Sequence, residues 1–164
     1  IEGWSDPINA GSTINSKYDE YYISFTNDGT MYFSSDVNAP ENQKGNDFDI
    51  YAAKWKDGNF QKPEVLGKSV NTEAYEADVF VSPDESYLIF CANRADGLGR
   101  GDLYISFRNT DGTWTKSVNM GGLINTKGHE LCPFVTYDGK YLFYSSNREI
   151  YWVSTDILMQ YRPE

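Results

Sequence analysis

The sequence predicts an all-β fold built from repeated four-stranded units, and three regularities carry that prediction. An Asn is followed five residues later by a Glu at Asn15, Asn71 and Asn125, which gives spacings of 56 and then 54 residues. A turn aspartate follows each Glu, and an aromatic residue precedes each Asn by eleven positions. The turn aspartates are Asp28, Asp84 and Asp138, and the aromatic residues are Trp4, Phe60 and Trp114. Self-similarity at this period indicates stacked supersecondary units.

Each unit is expected to contain four short strands joined by tight turns. In the second unit the first three strands are predicted at 77–81, 88–92 and 102–104, with a turn at 83–85 between the first two. The runs are rich in β-branched and aromatic residues and too short for helices. Asp-Gly pairs suit tight turns because Gly tolerates positive φ. A second Asp-Gly turn leads to a fourth strand, predicted around Phe60 in the first unit and Trp114 in the second.

Repeated four-stranded units of this length are typical of the blades of a β-propeller. The residues also carry a family resemblance. The run Ser82–Tyr104 contains Ser-Pro-Asp-x-x-Tyr-Leu-x-Phe, then Asn-Arg, then Gly-Asp-Leu-Tyr, and Thr136–Arg148 follows the same pattern. These motifs resemble the WD-like repeats of periplasmic TolB-type propellers over almost the whole chain. The resemblance implies the fold and a periplasmic or secreted location. It carries over no catalytic residue, since such repeats occur in adaptors, lyases and domains appended to peptidases.

The phase of the repeats suggests how such a ring would close. Residues 1–14 are expected to supply one outer strand, followed by blades at 15–67 and 70–122 and three strands at 124–157. The strand predicted at 4–8 would complete the last blade. Three blades are too few for a ring, because known propellers have roughly four to eight. We therefore expect either a homodimer that closes a six-bladed ring or a chain that forms part of a longer propeller.

Composition narrows the classes of partner. The formal net charge of −10 argues against nucleic-acid binding, which requires clusters of Lys and Arg. No apolar run approaches the roughly 20 residues of a membrane span. Cys91 and Cys132 have no metal-type spacing, and we expect free thiols rather than a disulfide.

Binding residues are expected on the face that carries the long loops. The connections between the second and third strands vary in length: 36–47, 93–101 and 147–148. Irregular loops on a rigid scaffold are where binding residues concentrate. The candidate ligand-binding residues on this face are Asp36, Gln43, Asp47, Arg94, Arg100, His129 and Arg148. The expected ligand is a protein, a peptide or a glycan.

The repeated glutamates and the acidic first loop suggest two further hypotheses. Glu20, Glu76 and Glu130 open the innermost strands, so they could ring a central channel; alternatively, each pairs with an Arg or accepts backbone N–H bonds. Calcium takes several oxygen ligands, and the loop with Asp36 and Asp47 is acidic, although its spacing matches no EF-hand. No other cofactor is expected.

The sequence favours a non-catalytic binding scaffold. The alternative is a propeller enzyme, such as a polysaccharide lyase or hydrolase, or a propeller domain of a larger enzyme. A third alternative is a purely structural assembly unit. His129 is the only histidine and could serve as a general base. One histidine cannot build the multi-histidine metal centre that the resemblance to propeller lyases would require.

Overall fold

The computed structural model describes residues 3–163, which fold into short antiparallel strands. In chain order the strands of this part are β1 Glu20–Phe25, β2 Met31–Ser35, β3 Asp49–Ala53, β4 Trp55–Lys56, β5 Asn59–Phe60, β6 Glu64–Val65, β7 Tyr75–Val81, β8 Tyr87–Asn93, β9 Asp102–Phe107, β10 Val118–Asn119, β11 Glu130–Val135, β12 Tyr141–Ser146 and β13 Glu149–Ser154. Two short 3₁₀ helices are Glu41–Gln43 and Thr155–Tyr161. None of the helices described is long and apolar enough to cross a membrane. The predicted all-β class is confirmed.

The strands form three main sheets and one small hairpin. The first sheet has the order β1-β2-β3-β6, and the second sheet has the order β7-β8-β9-β10. The third sheet has three strands in the order β11-β12-β13, and β4 pairs with β5 in a separate hairpin. Each main sheet is a meander whose first strand contains a repeated Glu at its first or second position. The repeat in the sequence is therefore a repeat of sheets.

The predicted position of the fourth strand is wrong in both units where it was placed. Phe60 lies in β5 and pairs with Trp55 of the hairpin, so it does not extend the first sheet. The hairpin closes at Asp57 and Gly58, which both have positive φ. Trp114 makes a single bridge to Arg108. The strands that complete the two sheets are β6 and β10, which begin four residues after each aromatic residue and are two residues long.

The predicted N-terminal strand at 4–8 is not formed within the single chain. Trp4 and Ile8 are almost fully exposed, at 104% and 88%. Residues 3–11 have no strand pairing in the part of the chain described. Pairing of this segment with another chain stays a prediction.

A bulge recurs two residues after each repeated Glu. Tyr22, Asp78 and Cys132 all have φ between 54° and 56°, and the strand register shifts at each of them. A bulge bends its strand and re-aims the side chain at the extra residue. Positive φ is uncommon for residues other than Gly. Its recurrence at three equivalent positions indicates that the bulge is part of the repeated structure.

The core lies between neighbouring sheets, because the middle sheet is apolar on both faces. One cluster joins the first and second sheets and includes Tyr32, Ile50 and Phe90. A second cluster joins the second and third sheets and includes Ile89 and Leu142. Residues 89 and 90 thus point into different clusters, as alternation along a strand requires.

The repeated Asn ties each link to the sheet before it. Asn71 accepts a hydrogen bond from the Ile50 backbone N–H (2.9 Å) and donates one to the Ile50 carbonyl oxygen (2.9 Å). Asn125 makes the same pair of bonds with Leu103, at 2.8 and 3.0 Å. These buried bonds satisfy backbone groups near the start of the third strand of each sheet and explain why Asn recurs.

Candidate functional site

Two of the repeated glutamates are fully buried and used within the fold. Glu76 accepts bonds from Thr72 Oγ1 (2.6 Å) and Thr72 N (3.0 Å). Glu130 accepts the equivalent bonds from Thr126, at 2.7 and 2.9 Å, and one from Ser146 Oγ at 2.6 Å. Both residues are 0% exposed. Of the two hypotheses for these residues, the contacts favour support of the sheet over an accessible ring.

Glu20 follows the same scheme in a more open setting. Its carboxylate accepts bonds from Ser16 Oγ (2.6 Å) and Ser16 N (3.1 Å), and Ser35 Oγ lies at 3.3 Å. Glu20 is half-buried, because no sheet packs in front of the first one in the part of the chain described. A channel-lining role for Glu20 stays a prediction.

Arg94 belongs to the support of Glu76 rather than to the loop surface. Its guanidinium donates to Glu76 Oε1 (2.8 Å) and to Ser117 Oγ (2.7 Å), and it also bonds the Val70 carbonyl oxygen. The guanidinium carbon lies 4.6 Å from the Tyr104 ring centre. Burial raises the pKa of Glu76, while the bonds from Thr72 and Arg94 oppose that shift. The expected Glu–Arg pair is found here, and these contacts leave Arg94 little capacity for a ligand.

Asp36 organises the first long loop from within. It is 2% exposed, and its two oxygens accept bonds from Asp19 N (3.1 Å) and Gly45 N (2.7 Å). Gln43 is exposed and Asp47 is half-buried on the same loop. Residues 3–163 contain no group of three His, Cys, Asp or Glu side chains that could hold a metal ion. The calcium hypothesis therefore gains no support from this loop and stays an untested prediction.

Three of the predicted site residues do come together. Arg100, His129 and Arg148 line one cavity of about 650 Å³, together with Lys127, which sequence reasoning missed. We call this cavity, with its four basic residues, the basic cleft. Its walls include Leu131, Ser145 and Ile150, and Glu149 is the acidic residue among its lining. Lys127 carried a weak signal, since it lies in the link between the repeated Asn and Glu, beside His129.

The cleft concentrates positive charge in an acidic protein. Within residues 3–163 the ion pairs shorter than 4 Å are Arg94–Glu76, Arg108–Glu85 and Lys140–Asp138, so none involves the four basic residues of the cleft. The whole chain has a formal net charge of −10. A concave surface on which one sign of charge predominates focuses the local potential and raises the local concentration of oppositely charged ligands. The basic cleft is therefore suited to an anionic group.

His129 also contacts a buried thiol. Its Nε2 lies 3.6 Å from Cys91 Sγ, and both groups sit against Gly101. A Cβ at position 101 would lie 2.4 Å from the imidazole and 2.9 Å from the sulfur, so only glycine fits there. Burial raises the pKa of Cys91 strongly, and the charge of Asp78 adds to that effect. The thiol is therefore neutral at physiological pH and is not an activated nucleophile.

The bulge residues form a second cluster that sequence reasoning missed. Cys132 N donates to Asp78 Oδ2 at 3.2 Å, and Cys132 Sγ lies 3.8 Å from the same oxygen. Tyr22 Oη lies 3.5 Å from the carbonyl oxygen of Pro133. Burial raises the pKa of Asp78, and the Cys132 N–H partly offsets the shift. The signal was a constant offset of two residues from each repeated Glu.

Comparison with known proteins adds little to this geometry. No family model and no curated protein matches the chain. Among solved structures, TolB from Acinetobacter baumannii is similar with a TM-score of 0.49 and 15% identity, over 81% of this chain and 32% of that one. A proposed 6-phosphogluconolactonase from Bacteroides uniformis is similar with a TM-score of 0.49 and 16% identity, over 85% of this chain and 45% of that one. The chain thus spans less than half of either protein, and likeness at this level carries no functional argument.

Proposed function

We propose that the chain is a three-bladed segment of a β-propeller that acts as a non-catalytic binding scaffold. Its basic cleft would hold an anionic group carried by a protein, peptide or glycan ligand. The observation that carries this proposal is the convergence of Arg100, Lys127, His129 and Arg148 on one cavity. The periplasmic or secreted location implied by the sequence resemblance is part of the same proposal.

The cleft is supported by backbone bonds between separate segments. Arg100 lies in the loop after β8, Lys127 and His129 lie in the link before β11, and Arg148 lies in the turn between β12 and β13. Arg100 N donates to the carbonyl oxygen of Gly128 at 2.8 Å, which joins the first two of these segments. Preorganised side chains lose less conformational entropy on binding, so such bonds favour affinity.

The residue types fit carboxylate or sulfate groups. Arg guanidinium groups donate two parallel hydrogen bonds to such anions, whereas Lys acts as a compact point charge. Both Arg100 and Arg148 are exposed and can approach a ligand without unfolding the loops. Binding should weaken as salt is added, because exposed charges are screened.

The alternative, a propeller enzyme, would need a nucleophile, an acid–base group or a metal in this cleft. Cys91 is the thiol that His129 contacts, and burial raises its pKa and so keeps it protonated. The observed contacts therefore favour binding over covalent catalysis by this pair.

The proposal can be tested by titration with two carboxylate-rich probes, a galacturonic acid oligomer and a glutamate peptide. The Arg100→Ala/Lys127→Ala variant should bind the preferred probe at least about tenfold more weakly, because each charge-assisted bond contributes roughly 1.5 kcal/mol or more. Lys140→Ala is the matched control, since Lys140 pairs with Asp138 on a turn and does not line the cleft. Equal affinity of the two variants, or failure of the wild-type chain to bind either probe at low salt, would contradict the proposal.

A further inference from the structure

The stack of sheets ends in an exposed apolar face on the third sheet. Strand register places Phe143 opposite Trp152, and Tyr141 packs edge-to-face on the Trp152 ring at 5.1 Å. Ile150 and Trp152 are 76% and 62% exposed. Within residues 3–163, β13 pairs only with β12, so its outer backbone edge is open. An open edge beside a large apolar face is a surface for association.

At the other end of the stack, the N-terminal segment already has the conformation of an interior link. Asn9 Oδ1 accepts bonds from Gly11 N (2.8 Å) and Asn15 Nδ2 (2.9 Å). Asn119 Oδ1 accepts the equivalent bonds from the backbone N–H two residues on (2.8 Å) and from Asn125 Nδ2 (2.9 Å). The segment before the first sheet is therefore folded like the segment that joins the second sheet to the third.

The N-terminal segment lacks the partner that the interior links have. Asn125 brackets the backbone of Leu103, whereas the only side-chain bond of Asn15 within residues 3–163 is the one to Asn9. Leu103 is the second residue of its strand, β9, and lies opposite Cys91. The equivalent residue of the third sheet is Ile150, which is the second residue of β13 and is exposed.

We propose that a second copy of this chain docks its segment 4–20 against β13. In that contact the Asn15 carboxamide of the second copy brackets the backbone N–H and C=O of Ile150. Within the chain, β10 pairs with β9 so that Asn119 lies opposite Tyr104 and Val118 lies opposite Ile105. The same register between two copies would place Asn9 opposite Tyr151 and Ile8 opposite Trp152. The same contact covers the exposed apolar side chains of β13 and gives the Asn15 carboxamide the backbone partners that Asn125 has within the chain.

Charge at the open junction supports a second copy as the occupant. Where the first sheet meets the second, Phe48 and Tyr75 are in edge contact with ring centres 5.8 Å apart, and Glu76 N donates to the Phe48 carbonyl oxygen. The equivalent positions at the open junction are Arg148, just before β13, and Asp19, just before Glu20. An aromatic pair is thus replaced by side chains of opposite charge. Arg148 would face Asp19 of the second copy, which leaves Arg100 and Lys127 for the proposed ligand.

Two copies are enough to close both edges. Each chain offers one open β13 and one segment 4–20, so a twofold arrangement joins six sheets into one ring. Closed twofold assemblies are the commonest oligomers. An open-ended series of copies would leave an unpaired edge at each end.

The first test compares Asn15→Ala with Asn27→Ala by sedimentation over a range of protein concentrations. Asn15→Ala should raise the dimer dissociation constant at least about tenfold. The circular dichroism spectrum should be unchanged, because the side-chain bond of Asn15 within its own chain goes to Asn9, outside the sheets. Asn27 lies on an exposed turn at the far end of β1 and serves as the control. Equal dimerisation of the two variants would overturn the proposed role of Asn15.

The second test fixes the register by disulfide trapping in a Cys132→Ser background. The Ile8→Cys/Trp152→Cys variant should give a covalent dimer on mild oxidation, because paired residues lie within disulfide distance. The Ser5→Cys/Trp152→Cys variant, three residues out of register, should not. Trapping of both variants alike, or of neither, would overturn the proposal. A wild-type chain that stays monomeric would also overturn it, and would favour upstream strands of a longer polypeptide as the occupant of this edge.

Discussion

At the scale of single residues, acidic side chains at equivalent positions of the repeat differ in how well the surrounding groups stabilise their negative charge. Asp102 accepts bonds from Leu98 N (2.6 Å), Gly99 N (2.9 Å) and Asn119 Nδ2 (2.7 Å). Asp49 holds the same position in the first sheet but is surrounded differently. Burial, and then the negative charge of Glu76, raises the pKa of Asp49 to about 6. An Asp with a raised pKa is a cost to the folded state once it ionises.

The first prediction concerns that cost. Between the unfolded pKa near 4 and the folded value of about 6, the folded protein binds more protons than the unfolded chain, so stability falls as pH rises through this window. Asp49→Asn removes the charge, and it should flatten the pH dependence and raise the melting temperature at pH 7 relative to wild type. Thermal melts between about pH 4 and pH 7 check this, with the exposed Asp57→Asn as control. A variant that melts below wild type at pH 7 would contradict the electrostatic account.

The second prediction concerns the Glu76–Arg94 pair. Removing one member of a buried pair leaves an unpaired charge, so Arg94→Ala should lower the free energy of unfolding by about 3–5 kcal/mol. Lys140→Ala breaks the exposed pair with Asp138 and should cost much less, because exposed ion pairs are screened by solvent. Urea unfolding of both variants gives the comparison. Similar losses in the two would show that Arg94 does not support the fold as its contacts indicate.

At the scale of elements, the outer strands depend on anchors rather than on their own length. β6 and β10 are two residues long, and a strand so short forms few ladder bonds. Trp114, which precedes β10, is 8% exposed and packs edge-on to Tyr32 of the first sheet at 6.2 Å. The Arg108 guanidinium carbon lies over the indole, 4.8 Å from the ring centre. Packing between sheets therefore holds the outer segment in place.

The third prediction tests this anchoring. Trp114→Ala should lower the free energy of unfolding by about 3–5 kcal/mol, as large aromatic truncations in cores do. Trp55→Ala is the matched control, because Trp55 lies on the hairpin and is 48% exposed; its loss should be below about 1 kcal/mol. Denaturant unfolding monitored by circular dichroism measures both. A loss below about 1 kcal/mol for Trp114→Ala would mean that the indole does not anchor the sheet.

The elements that sequence predicted well are those whose signals are local. The first three strands of each unit are consecutive antiparallel neighbours. Their short apolar runs and the turn residues between them can be read directly from the sequence. β6 and β10 were misplaced because their position depends on pairing with β3 and β9, while the nearby aromatic residues gave a stronger local signal. Asp36 and Arg94 were assigned to ligand binding because the sequence does not reveal that they are buried. Their burial depends on partners in other segments of the chain. Arg100 and Arg148 were singled out because they lie in the connections between second and third strands, and His129 because it is the only histidine, whereas Lys127 lies outside those connections and had no such distinction.

At the scale of the whole molecule, three stacked sheets leave two unlike surfaces. One is the apolar end formed by β12 and β13, and the other is the N-terminal segment that already has the form of a link. The basic cleft lies at the apolar end, where Arg148 faces the open junction. A second copy would therefore become a wall of the binding site. Ligand affinity and assembly should be coupled at Arg148, whereas substitution of Lys127 should affect ligand affinity alone.

The mass of the chain in native solution tests this account most directly. Native mass measurement of the wild-type protein at micromolar concentration should give twice the chain mass of 18.7 kDa, and Asn15→Ala should shift the distribution to the single mass. A wild-type protein that remains a single 18.7 kDa chain, and melts cooperatively in that state, would contradict closure by a second copy.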